Sequence, residues 1–402
     1  MTMCHRYQHQ YRQQGIALIT VLLILTLATV AAVSMTSRQQ LDIRRTSNIL
    51  QIEQAYAALL AGEEMAKALL VYDETQGSNK GTDSNVDYWA RLALANTSSG
   101  IVNIGDFTLS NVRIEDLQGR FNINNLRSDK AVEFTKTFES LLGTRQLSTE
   151  VINPVIDWLD ENQQETLTQT GTWGDGREDP AYSSFDRPFK TADRHMVSAS
   201  EVLRFAGINL TGQDYDCETQ VCFRTMLYEE PWLVADAKQC EQQTSIAQLC
   251  SSDVTPLLTA LPLAQGNNPP PVLINVNMPA SRQIYQALVP GLSDADADEV
   301  YNEVMNRGGL NQASKPAFGQ PGDFTGHQKI LGLLNGTKKT EVENQISVST
   351  RFFLLKLDAA PTAAGDNASS NSQLTVSLNS ILYRNNNKVR VIHRSFGKFG
   401  EI

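Results

Sequence analysis

The chain has 402 residues, enough for two or three domains with an ample core. Its net charge is −10, from 34 Lys and Arg against 44 Asp and Glu, which argues against a nucleic-acid partner, since phosphates need a basic face. The balance suits divalent cations or a basic partner surface instead. Residues 1–14 carry Arg6 and Arg12 with no acid, and Gly15 follows. From Ile16 to Met35 nothing is charged, and nothing is more polar than Thr20, Thr26, Thr29 and Ser34. As a helix this run spans roughly 30 Å, the thickness of a bilayer's hydrocarbon core. The basic residues before it orient it with the N-terminus inside.

Helical character continues. Ser37 to Tyr72 holds no Pro and no Gly except Gly62, and Leu41, Ile49, Ile52, Ala55, Leu59, Met65, Leu69 and Leu70 recur near a helical period. One helix from about Ile16 to Val71 is predicted, half in the membrane and half packed on a globular head; the alternative is two helices hinged near Ser34–Ser37. Asp73–Asp87 reads as a loop and Tyr88–Ala95 as a short helix. Phe107–Ile114 alternates apolar and polar residues, a half-buried strand, before a turn at Gly119. Near the C-terminus Gln345–Leu357, Gln373–Arg384 and Val389–Phe396 are strand-like, joined by Gly365–Ser372 and by Asn385-Asn386-Asn387. They read as an antiparallel meander, with a large insertion between it and the strand at Phe107.

The insertion, Asn125 to Gly332, reads as mostly helical and carries an internal echo. Phe121-Asn122-Ile123-Asn124-Asn125 is matched by Ile274-Asn275-Val276-Asn277-Met278. Each lead-in precedes a helix (Asp129–Leu142; Ala280–Leu288), a short connector, and a second helix (Thr149–Leu159; Ala295–Met305). The pair resembles two SAM-like or helix-hairpin-helix units, with the Asn side chains capping the next helix and bridging the turn. Such units often grip DNA backbone, but Asp294, Asp296 and Asp298 after Gly291 would repel phosphate. They read instead as an acidic first turn capped by Ser293.

After the first unit comes an acidic stretch, Asp157, Asp160 and Asn162, then Glu178 and Asp179 beyond a Gly-containing loop. Oxygen ligands from a helix end and a loop suit Ca²⁺, with a solvated acidic surface as the alternative. An EF-hand is excluded: with Asp160 first, Glu165 stands where Gly is required. Cysteine use fits export. Cys4 precedes Gly15, while Cys217, Cys222, Cys240 and Cys250 cluster and read as two disulfides of open connectivity. Zinc is the rival, but there is no C-x-x-C and no His among them.

A short basic leader ending at Gly15, ahead of an apolar core that stays on the chain, resembles the class III signal of type IV pilins and type II secretion pseudopilins. The resemblance implies a prepilin peptidase that cuts between Gly15 and Ile16 and methylates Ile16. Most pilins have Glu five residues into the mature chain, where this one has Thr20. A carboxylate in lipid needs a partner, so the missing acid implies a subunit with no neighbour above it. This departure resembles the large minor pseudopilin family, general secretion pathway protein K. So do Glu115–Leu126, Ile156-Asp157-Trp158-Leu159-Asp160, Glu178-Asp179 with Tyr182, Ser200–Arg204, and Thr259-Ala260-Leu261-Pro262 before Ile274–Asn277. Asn277-Met278-Pro279-Ala280 departs from the family's usual Asn-Thr-Ala, and residues 208–255 and 263–271, including Pro269-Pro270-Pro271, look like insertions.

The resemblance implies an α+β pilin-like fold: a long N-terminal helix packed on an antiparallel sheet, with a large, mostly helical insertion of two SAM-like units. The expected divisions are leader 1–15, transmembrane 16–36, periplasmic helix half with loop and first strand 37–124, insertion 125–332 with a disulfide-bearing part 208–255, and C-terminal strands 333–402. The implied role is non-enzymatic: a minor pseudopilin at the pseudopilus tip, anchored in the inner membrane with its C-terminal region in the periplasm. Its implied partners are minor pseudopilins I, J and H. A minor pilin of a type IV pilus or DNA-uptake system is the alternative. An anchored metal-dependent hydrolase is a further one, against which the chain shows no H-E-x-x-H and no G-x-S-x-G.

Overall fold

The computed structural model describes residues 14–77, 80–94, 102–166, 173, 175–183, 188–204, 226–227, 255–266, 268–306, 317–362 and 375–397. The chain divides into two units, residues 1–57 and 58–402. The long helix α1 spans Gln14–Gln76 without a break, so the expected single helix forms and extends a turn beyond Val71. In the first unit every described side chain from Leu18 to Gln51 is exposed. The mean hydropathy there reaches 2.5 over eighteen residues, long and apolar enough to cross a membrane.

In the second unit, α1 lies on a five-stranded antiparallel sheet. Leu59 and Leu70 are fully buried. Gly62 explains how closely helix and sheet approach: a Cβ there would come 2.6 Å from Leu109 Cδ1 and 3.1 Å from Leu357 Cδ1. The strands are β1 (Val102–Ile104), β2 (Phe107–Asp116), β7 (Phe352–Pro361), β8 (Val376–Asn385) and β9 (Lys388–Phe396), in the order β1-β2-β7-β8-β9. The β7-β8-β9 meander thus forms, and β2 completes the sheet by pairing Phe107 with Pro361. A short helix, α2 (Tyr88–Leu94), seals one end through Trp89, whose ring meets Phe353 edge-on at 5.1 Å.

Everything between β2 and β7 is the insertion. Its described elements are β3 (Phe121–Asn122), α3 (Ala131–Thr144), α4 (Ile152–Leu159), α5 (Asp179–Ser183), β4 (Leu258–Thr259), β5 (Ile274–Asn275), α6 (Arg282–Leu288), α7 (Asp294–Met305), α8 (Pro321–Thr325), α9 (Gly336–Glu343) and β6 (Ile346–Ser347). Each lead-in is a two-residue strand paired in parallel, β3 with β4 and β5 with β6. The asparagines work in matched pairs. Asn124 accepts from the Met196 N–H at 2.8 Å and donates to the Met196 carbonyl at 3.0 Å. Asn277 does the same to Phe318, at 2.9 and 3.0 Å. The lead-ins also join each other: the Ala280 N–H donates to the Gly119 carbonyl at 2.9 Å, and a Cβ on Gly119 would stand 1.9 Å from the Met278 carbonyl oxygen. Both halves share one core, in which Phe121, Phe134, Phe138, Ile284, Tyr285 and Leu288 are buried.

Two expectations need correction. The run Gln345–Leu357 is not one strand: β6 ends at Ser347 and β7 begins at Phe352. Between them the backbone turns to Asp83, whose N–H donates to the Val348 carbonyl and whose Oδ2 accepts from the Thr350 N–H. Nor is 333–402 all strand, since Gly336–Glu343 is helical, with Asn335 capping Lys338 N–H at 3.1 Å.

Candidate functional site

The acidic stretch after the first repeat is held from three sides. Helix α4 buries Ile152, Val155 and Leu159, which turns Asp157 inward with them; Pro154 is tolerated because it sits in the first turn. Asp157 accepts the Thr166 N–H at 3.0 and 3.2 Å. Asp160 caps the end of α4. Beyond the loop, Glu178 immediately precedes α5 and is only 1% exposed, and among the described residues neither of its carboxylate oxygens has a hydrogen-bond partner. Burial pushes its carboxyl up to about 7, reinforced by Asp157, Asp160, Asp193 and Asp179. Burial raises Asp157 and Asp160 as well.

Asp193 joins this group although its sequence context carries no motif. It adopts φ +49, Gln163 donates to its Oδ2 at 2.9 Å, and its buried Oδ1 has no partner among the described residues. Two of the expected ligands are engaged elsewhere. Asp179 pairs with Lys190 at 2.8 Å and accepts the Thr191 N–H at 2.9 Å, which holds its carboxyl below the usual range. Asn162 is exposed and folds its Oδ1 onto the Gln164 N–H at 2.7 Å. Asp157, Asp160 and Asp193 thus lie near enough to Glu178 to raise its carboxyl, but among the described residues the acids whose oxygens converge within 4.8 Å are Asp73, Asp83 and Asp87. An aromatic wall backs Asp157 and Glu178, with Tyr182 stacked on Phe189 at 4.7 Å and Trp158 edge-on to both. A buried carboxylate lacking donors is stable only as the neutral acid or beside a cation. Carboxylate oxygens are the donor type that a hard ion such as Ca²⁺ takes.

A second group of acids has a different resolution. Asp73, Asp83 and Asp87 bring carboxylate oxygens within 4.8 Å of one another. Here the protein supplies its own cation, the buried Arg384 of β8. Its guanidinium meets Asp83 at 2.6 Å, Asp73 at 3.6 Å and Glu74 at 3.5 Å, and lies 4.8 Å from the centroid of the Phe353 ring. Burial, with Asp87 and Asp83 beside it, still pushes Asp73 up to about 7. This hub fastens the end of α1 to the sheet, a role unmarked in sequence because Arg384 stands in an ordinary strand pattern.

Gly15 and Ile16 lie in the first turn of α1, and Thr20 is exposed on it. Cys217, Cys222, Cys240 and Cys250 fall outside the described residues.

Residues 119–213, which span the first lead-in and the acidic group, match the family described as Type II secretion system (T2SS), protein K. Type II secretion system protein K of Pseudomonas aeruginosa is 34% identical over 200 residues, covering 47% of this chain and 56% of that one. Over these residues the chain is similar to the type II secretion system protein K family. Type II secretion system protein K of Aeromonas hydrophila is 29% identical, over 49% of this chain and 60% of its own length. The Klebsiella pneumoniae protein is 30% identical, over 50% and 59%. The chain thus spans less than two thirds of the length of these relatives. In fold it is similar to a chain of the GspK-GspI-GspJ complex from the enterotoxigenic Escherichia coli Type 2 Secretion System, with a TM-score of 0.56 and 16% identity, over 88% of this chain and 99% of that one.

Proposed function

We propose that the chain is a minor pseudopilin at the tip of a type II secretion pseudopilus, a non-enzymatic subunit that assembles with minor pseudopilins I, J and H. The observation that carries the reading is the protein K match over residues 119–213, set in an insertion between β2 and β7 of a sheet backed by one long apolar helix. An insertion of this size is too bulky to stack within a filament, and Thr20 leaves no carboxylate for a subunit above. The apolar face of α1 is the seam for its neighbours in the inner membrane, and residues from 37 onward extend into the periplasm. In this reading a prepilin peptidase removes residues 1–15 and methylates Ile16.

The insertion 125–332 supplies the bulk of the tip as two SAM-like units, a reading supported by the matched Asn124 and Asn277 clamps. Asp157, Asp160, Glu178 and Asp193 hold one structural Ca²⁺ that fixes the loop after the first unit, and the unpartnered Glu178 carboxylate is what favours it. Cys217, Cys222, Cys240 and Cys250 form two disulfides. The test is a strain lacking this chain. Loss of exported proteins from the medium with pilus-dependent functions intact supports the reading. Intact export with lost piliation or DNA uptake supports a type IV minor pilin and overturns it.

A further inference from the structure

The geometry points to a docking groove for an acidic, apolar peptide segment of a partner protein, on the sheet face opposite α1. Arg384 reaches the α1 side, so its neighbour Tyr383 projects to the other. There Phe352 and Tyr383, their rings 4.9 Å apart, form the floor of a cavity of about 500 Å³, within the size range of ligand sites. The opposing wall is built from Pro262, Leu263 and Ala264 and from Pro270, Pro271, Val272 and Leu273, which include two of the three consecutive prolines. Hydrogen bonds pin it: the Asp129 N–H donates to the Pro269 carbonyl at 3.0 Å, and the Val272 N–H to Asn125 Oδ1 at 2.9 Å. Proline fixes the backbone of this wall, so the groove is shaped before anything enters it. The wall lies outside the matched residues 119–213.

The charge around the groove selects the occupant. Arg351 lines it, and Arg390 is the cross-strand neighbour of Tyr383. Both are exposed, and neither has an ion-pair partner among the described residues. Among the described residues no carboxylate lines the cavity. Ile392, 43% exposed at a bulge in the edge strand β9, completes the apolar lining and leaves the groove open at that edge. On a chain of net charge −10, unpaired cations over an apolar floor complement carboxylates interleaved with apolar side chains. A second copy is disfavoured, since Lys388 and Arg390 would bring cations together across two β9 edges. Two cations are too few to hold a phosphate backbone.

The experiment uses the full chain in detergent micelles, with empty micelles as the blank and two labelled nonapeptides, one alternating Glu and Leu and the other Lys and Leu. The Glu peptide is expected to bind saturably and in preference to the Lys peptide. The double variant Arg351→Glu with Arg390→Glu should weaken it by about tenfold and reverse the preference, with an unchanged circular dichroism spectrum. Equal binding of both peptides, no saturable binding, or binding unaffected by the double variant would overturn the assignment. If the double variant fails to fold, the wild-type preference and its loss with added salt decide the question alone.

Discussion

Replacing Glu178 by Gln separates a cation site from a merely acidic surface. The carboxyl is buried, and its folded-state pKa is raised from 4.5 to about 7. Below pH 4.5 the folded and unfolded chains both carry the proton, and this group imposes no penalty. As pH rises from 4.5 to about 7 the unfolded chain releases its proton while the folded chain retains it, so folding stability falls across that window and stays lowered above it. The shift corresponds to about 3 kcal/mol. A bound cation removes the penalty by stabilising the ionised form, and saturation at about a hundred times its dissociation constant adds about 2.7 kcal/mol. Urea unfolding of the full chain in micelles, from pH 4 to 8, with chelator and with Ca²⁺, measures both. The wild type should lose stability over the window in chelator and regain it with Ca²⁺. Glu178→Gln should lose most of the slope and all of the Ca²⁺ response. A variant whose slope and Ca²⁺ gain equal the wild type's would refute the reasoning.

Other substitutions probe the framework. Arg384→Met should destabilise the chain by about 3–5 kcal/mol, because Asp83 is left buried without its cation. Urea midpoints should show a larger loss at pH 8 than at pH 5, where Asp73, raised to about 7, holds a proton. Gly119→Ala drives a Cβ into the Met278 carbonyl and should cost about 1–3 kcal/mol by thermal unfolding, or more if the two lead-ins separate. Asn124→Ala and Asn277→Ala each orphan a backbone N–H and C=O, so each should lose about 1–3 kcal/mol in denaturant titration. Comparable losses are expected from the two, since the clamps have the same form.

The architecture was largely legible because its signals are periodic. The uncharged run from Ile16, the breaker-free stretch around Gly62 and the alternation of Phe107–Ile114 each commit their segment locally, and the meander's turns are marked by Asn and Gly. The repeat was visible for a similar reason: an Asn that must bridge a turn recurs at the same place in both lead-ins. What was missed depends on contacts distant in sequence. Nothing in Gln345–Leu357 announces that Asp83, far earlier in the chain, captures the backbone between Val348 and Thr350 and splits the strand. The acidic group was only half legible. Asp157, Asp160 and Glu178 were visible as neighbours in a motif-like stretch, whereas Asp193 joins them through a left-handed backbone that its local sequence does not encode. Asp179 pairs with Lys190, a local contact that its acidic context does not announce.

The most direct test of the account is the mass of the complex formed when the processed chain is co-expressed with minor pseudopilins I and J and analysed by size-exclusion chromatography with light scattering. The account predicts a single species containing one copy of each, in which the chain begins at Ile16. A chain that elutes alone while I and J associate without it would contradict the claim that it is their tip subunit.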